Sequence, residues 1–208
     1  MRATTIALLM FALSACGASS KQVRAARSSA YQASTFIEVW DGVLAAVSVD
    51  YPIVQVLDGD NRRIVTCWRA VEKNHDNEIA GAPGSAWYFY RAVIEVSPNP
   101  PYRVSVSGRT AQYRPPQIYP FPHDDPQEPG WVGGRTDRLV LQIHEKLAKY
   151  AMPTQELSPA ASDPGRPQNV ADTCVMRAAE LGIDWRGQEG IVIGDAGASP
   201  SGQVGPQR

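Results

Sequence analysis

The chain has 208 residues and a formal net charge of −1, a length that suits one ordinary domain with additional segments. Its 20 Lys and Arg against 21 Asp and Glu build no basic stripe, which argues against a nucleic-acid partner. Gly and Pro number 17 each and crowd into 73–85, 114–134 and 153–208, which marks loops and tails instead of a second core.

The first residues read as an export signal. Arg2 supplies the positive charge and Thr5 to Leu13 (TIALLMFAL) the apolar stretch. That stretch is too short to span a bilayer, which takes about 20 apolar residues. Leu13, Ser14, Ala15 and Cys16 follow. This LSAC run resembles the lipobox of bacterial lipoproteins. The resemblance implies cleavage before Cys16, a diacylglyceryl group on its sulfur and an acyl group on its new amine. An ordinary secretory signal with a nearby Cys is the plainer alternative. Several acyl chains hold a protein on a membrane, since each buried CH2 contributes about 0.8 kcal/mol. Gly17 stands where the family's inner-membrane retention signal places Asp, so the resemblance implies the outer membrane, facing the periplasm. Losing Arg2 with the signal leaves a net charge of about −2.

Residues 16–33 are small and polar, with Lys21, Arg24 and Arg27, and read as a tether. A helix follows from Ser34 or Thr35 as N-cap, with Phe36, Trp40, Val43, Leu44 and Val47 on one apolar face. Tyr51 and Pro52 end it. IVQVL, an Asp58-Gly59 turn and RRIVTCWRAV then predict a hairpin, with Asp-Gly supplying the positive backbone angle.

WYFYRAVIEV predicts a third strand with Tyr88, Tyr90, Ala92, Ile94 and Val96 on one face and Trp87, Arg91 and Glu95 on the other. YRVSVSGRTAQY predicts a fourth, with Tyr102, Val104 and Val106 sharing a face. Strands of this kind suit an antiparallel sheet with one covered and one wet face. From Thr136, a second helix places Leu139, Ile143, Leu147 and Tyr150 in line. The expected fold is α+β: a four-stranded antiparallel meander, with one helix before it and one after it packed on a single face, spanning 34–152.

Tyr51, Pro52, Asp58, Ile64, Thr66 and Trp68 carry a second resemblance, over roughly 35–71. A helix, "YP", a strand, an Asp-rich turn and "I-x-T-x-W" are similar to the helix-grip domains of the C lipoprotein of the β-barrel assembly machine. The pattern is one of packing, so it implies a fold before it implies an activity. The Pro-rich excursion and the C-terminal extension depart from it.

Residues 153–208 read as a linker and a mostly flexible extension, with a short helix at 170–181 and a brief strand at IVIG. Cys67 and Cys174 admit two readings. As a disulfide they would close a loop worth about 4.7 kcal/mol in the chain-entropy model; otherwise Cys67 is a small buried hydrophobe and Cys174 a free thiol.

No constellation for catalysis stands out. His75 in KNHDNE and His123 in PHDDP sit beside carboxylates without the spacing of a zinc or calcium loop. His144 reads as a surface residue, and no nucleophile elbow or phosphate loop occurs. No cofactor and no metal is expected. The aromatics Tyr119, Phe121 and Trp131, set among prolines at 113–134, offer contact area at low entropy cost and form a candidate partner surface; the competing reading makes them staples of a long connection. Two roles follow: a noncatalytic envelope-assembly module that binds another envelope protein, or a carrier enclosing a lipid or other small apolar ligand between helix and sheet. A hydrolase would need one of the histidines beside a nucleophile.

Overall fold

A computed structural model of the chain describes residues 19–73, 87–114, 116–122, 128–153, 166–176 and 190–194. The expectations placed on Cys16, His75 and His123 lie outside those residues.

Order begins earlier than the tether reading implied. Ser20–Arg27 is helix α1, closed by a capping box in which Ser19 and Gln22 satisfy each other's backbone amides. Its burial rests on Ala26, and Arg27 pairs with Asp137 at 2.8 Å. Strand β1, Ser29–Tyr31, then carries buried Ala30 and Tyr31. Small alanines give a helix little apolar periodicity, so the segment looked like a polar tether.

Helix α2, Phe36–Asp50, follows the sequence pattern closely. Thr35 and Glu38 form its capping box, and Val39, Trp40, Val43, Ala46 and Val47 are buried. Strands β2 (Ile53–Asp58) and β3 (Arg63–Thr66) form the hairpin. Its turn differs from the expectation. Asp58 accepts hydrogen bonds from both the backbone and the side chain of Asn61, and the left-handed position falls on Arg62 at φ 55° instead of on the Asp-Gly pair. Arg62 is held there by donation to the carbonyls of Ser97 and Pro98 and by stacking over Phe36 at 4.3 Å.

The expected second strand is broken in two at Cys67, with β4 running Trp68–Lys73. Both halves pair with β5, Trp87–Val96, at different positions along it. Within the bend, the Ala92 amide donates to the hydroxyl of Thr66 at 2.8 Å, so the ladder loses no donor there. β6, Val104–Arg114, pairs along the full length of β5, and β7, Gln117–Pro120, adds a strand inside the Pro-rich excursion.

Helix α3, Trp131–Lys146, starts five residues before the predicted Thr136. Gly133 and Gly134 are poor helix formers, but Trp131 and Val132 pack on the core and carry the chain into the helix. A 3-10 turn at Ala148–Tyr150 leads to β8, Ala151–Pro153, which pairs with β1.

The C-terminal part supplies three short strands: β9 (Gln168–Asn169) beside β7, β10 (Val175–Met176) parallel to β4, and β11 (Ile191–Val192) beside β2. Where a helix was expected at 170–181, residues 170–172 form a 3-10 turn and 175–176 form β10, and 177–181 lie outside the described residues. The α+β class holds, but among the described residues the larger sheet has nine strands where four were expected.

The sheet is covered on both faces. Under α2 and α3 lies the main core, including Val54, Ile64, Tyr90, Ile94, Val106, Leu139, Ile143 and Leu147. The opposite face, expected to be wet, carries a second apolar cluster of Trp68, Phe89, Ala111, Tyr113, Ile118 and Val170. Val170 from the C-terminal part closes that cluster, which is why β5 alternation alone could not reveal it.

Candidate partner-docking face

The three aromatics named from sequence lie on the helix side of the sheet, and the strand register explains how. Tyr88 pairs with Gln112 across β5 and β6, and Gln112 pairs with Tyr119 across β6 and β7. Directly paired residues share a face, so Tyr88, Gln112 and Tyr119 form one row. Phe121 extends β7 beyond its end: its amide donates to the Thr110 carbonyl at 2.9 Å. Its ring stacks on Tyr88, with centroids 6.1 Å apart and planes at 25°. One step along β5, Tyr90 meets Trp131 at the start of α3, with centroids 6.4 Å apart.

The three side chains have unequal roles. Tyr119 is 37 % exposed, its hydroxyl donating to Gln117 at 2.8 Å and its ring facing the Arg114 guanidinium at 5.7 Å. Arg114 is itself fixed by two hydrogen bonds to Gln112, at 2.9 and 2.7 Å. Phe121 and Trp131 are half-buried and tie the excursion to the sheet, while Arg135 lies over the Trp131 ring at 5.5 Å. Thus the staple reading describes Phe121 and Trp131, and an oriented, accessible ring remains at Tyr119. Tyr88 belongs to the same surface. Its place on the apolar face of β5 was readable from alternation, but its neighbours required the register.

Burial holds the Tyr90 phenol well above its ordinary pKa, despite the opposing hydrogen bond with Thr136. The charged groups beside the row are Arg114, Arg135 and Glu128, which accepts the Thr110 hydroxyl. Aromatic rings edged by guanidinium groups have the composition of contact hot spots.

The remaining candidates are placed as follows. Cys67 and Cys174 are bonded to each other, with Cα atoms 4.9 Å apart across 107 positions of sequence. The bond joins the break between β3 and β4 to the start of β10, beside a hydrogen bond from the Trp68 amide to the Cys174 carbonyl at 2.9 Å. His144 is half-buried, not a free surface group: its Nδ1 lies 3.3 Å from the Tyr31 hydroxyl. Among the described residues, no three His, Cys, Asp or Glu side chains gather where they could hold a metal, and no helix is long and apolar enough to cross a membrane.

No protein-family model, no curated protein and no solved structure matches the chain.

Proposed function

We propose that the protein is a noncatalytic lipoprotein, anchored to the outer membrane through lipidated Cys16, whose α+β domain docks another envelope protein on the Tyr119 face. The anchor rests on Arg2, the TIALLMFAL stretch and the LSAC run. The docking reading rests on one observation above all: an exposed Tyr119 ring held in fixed orientation by Gln117 and Arg114, in a row with Tyr88 and beside Phe121. Orienting a ring before contact lowers the ordering entropy that association must overcome.

The alternative, a lipid or other small apolar molecule enclosed between helix and sheet, finds less support. Leu147 and Ile143 of the α3 segment are 0 % and 2 % exposed and fill the space facing α2 and β5. Gly42 and Gly108 are so closely approached, by Leu147 and by Thr136 with Tyr90, that neither site has room for a methyl group.

Site-specific photo-crosslinking in living cells tests the proposal. A photoreactive phenylalanine replacing Tyr119 should capture a discrete envelope protein, whereas the same group replacing Val49, an exposed residue of α2, should not. Equal capture at both positions would reject the docking face. Cell fractionation tests the anchor separately: Cys16→Ala should move the protein to the soluble fraction, and retention on washed membranes would reject lipid anchoring.

A further inference from the structure

The face of the sheet away from the helices holds two arginines where the ladder least favours them. Arg91 on β5 and Arg109 on β6 are direct cross-strand partners. Like charges at that position repel, because paired side chains lie within about 5.5 Å at their Cβ atoms. Arg109 is buried and Arg91 half-buried. Arg109 is 6 % exposed, and Arg91 lies with its guanidinium 4.3 Å from the Trp68 ring centroid.

Their hydrogen bonding is incomplete in a specific way. Arg91 donates through Nη1 to Gln55 Oε1 at 3.2 Å, but its Nε is buried without a partner. Among the described residues, Arg109 Nη2 is likewise buried without a partner. An arginine donor without an acceptor is costly inside a protein. Charge is unbalanced as well among the described residues: Glu128 acts favourably on Arg109, and its Oε1 also accepts the Thr110 hydroxyl, while Arg109 and Arg63 both bear unfavourably on Arg91. Desolvation accordingly lowers the Arg91 pKa to about 10 and shifts that of Arg109 in the same direction.

We propose that Arg91 and Arg109 form a binding site for a small oxyanion, a phosphate or carboxylate group bridging the two guanidinium groups. An anion there supplies the acceptors that Arg91 Nε and Arg109 Nη2 lack, offsets the cross-strand repulsion, and meets the planar fork through which arginine recognises such groups. Trp68, stacked on Arg91, and Gln55, bonded to its Nη1, fix one side of the site. Glu128, whose charge acts on Arg109, limits how much negative charge the site accepts.

The test reads the arginine side chains directly. The full chain, labelled with nitrogen-15, is titrated with sodium phosphate and separately with sodium malonate, with sodium chloride holding the ionic strength constant. Saturable shifts of the Arg91 and Arg109 Nε–H resonances, with Arg62 and Arg114 unmoved, are expected for at least one probe; the stronger response tells phosphate from carboxylate. Arg109→Lys retains the charge and loses the fork, so it should weaken binding about tenfold or more. Shifts that do not saturate, that appear equally at Arg62 and Arg114, or that survive Arg109→Lys at full affinity would overturn the proposal. If Arg109→Lys fails to fold, the native-chain titration still decides between these outcomes.

Discussion

The hydroxyls of Tyr90 on β5 and Thr136 on α3 lie 3.0 Å apart, and Thr136 also donates to the Val132 carbonyl at 3.1 Å. This buried link sets α3 on the sheet, and it exists because the intervening residue of β6 is Gly108. A Cβ at that position would lie 2.8 Å from the Tyr90 ring and would collide with the Thr136 hydroxyl. Gly108→Ala should therefore destabilise the fold by about 1–3 kcal/mol through overpacking. Urea unfolding measures the change; an unaltered midpoint would show that α3 is not seated as described.

The Cys67–Cys174 bond clamps the C-terminal strands to the sheet, and Gly190 rests against it. A Cβ on Gly190 would lie 2.6 and 2.9 Å from the two sulfurs and would strike Ile53. Replacing both cysteines by Ala should lower stability by about 2–5 kcal/mol, as for loss of a native disulfide. Thiol labelling of the oxidised chain under denaturing conditions checks the bond itself, since neither Cys67 nor Cys174 should react until a reductant is added.

The second apolar cluster distinguishes a two-sided sheet from a half-wet one. Phe89 is fully buried and meets Tyr113 edge-on, with centroids 5.9 Å apart. Phe89→Ala should cost about 3–5 kcal/mol, the range for deleting a core aromatic. A loss near zero would mean that this face is solvated.

Alkaline pH should weaken the fold in a defined window. Burial raises the Tyr31 and Tyr51 phenols from 10 to about 12, with Arg69 the largest opposing influence at Tyr51. A folded-state pKa above the unfolded value means that this stability is complete below pH 10 and is lost as pH rises towards 12. Each phenol contributes on the order of 2 kcal/mol to that loss. Tyr51→Phe should flatten the decline when urea midpoints are compared across the window; an unchanged slope would contradict the assignment.

Local chemistry made part of this fold readable. The Thr35 cap with Glu38 and the spacing of Trp40, Val43 and Val47 specify α2, and β5 and β6 follow their alternation. Other features depend on contacts distant in sequence. The strand break at Cys67 is stabilised by the Thr66 hydroxyl reaching Ala92, and β9 to β11 are two residues long, too short to show a period. The first turn of α3 passes through two glycines because Trp131 packs on Tyr90. At the candidate docking face, composition draws attention to Tyr119, Phe121 and Trp131 without separating the exposed ring from the two that fasten the chain. The opposition of Arg91 and Arg109 was invisible for the same reason: facing pairs are set by register, and register appears only when strands β5 and β6 are placed side by side.

The proposed docking depends on Tyr119. Because its ring is exposed and its contacts are local, Tyr119→Ala should change stability by no more than about 0.5 kcal/mol, so a lost interaction cannot be blamed on misfolding. The decisive measurement is quantitative crosslinking of intact cells, with mass spectrometry of what is attached to the native chain and to Tyr119→Ala at equal folded abundance. A reproducible envelope-protein partner is expected, its yield falling at least about fivefold in the variant, as when a contact hot spot is truncated. An unchanged partner yield, or a lipid or small apolar molecule recovered in place of a protein, would contradict it.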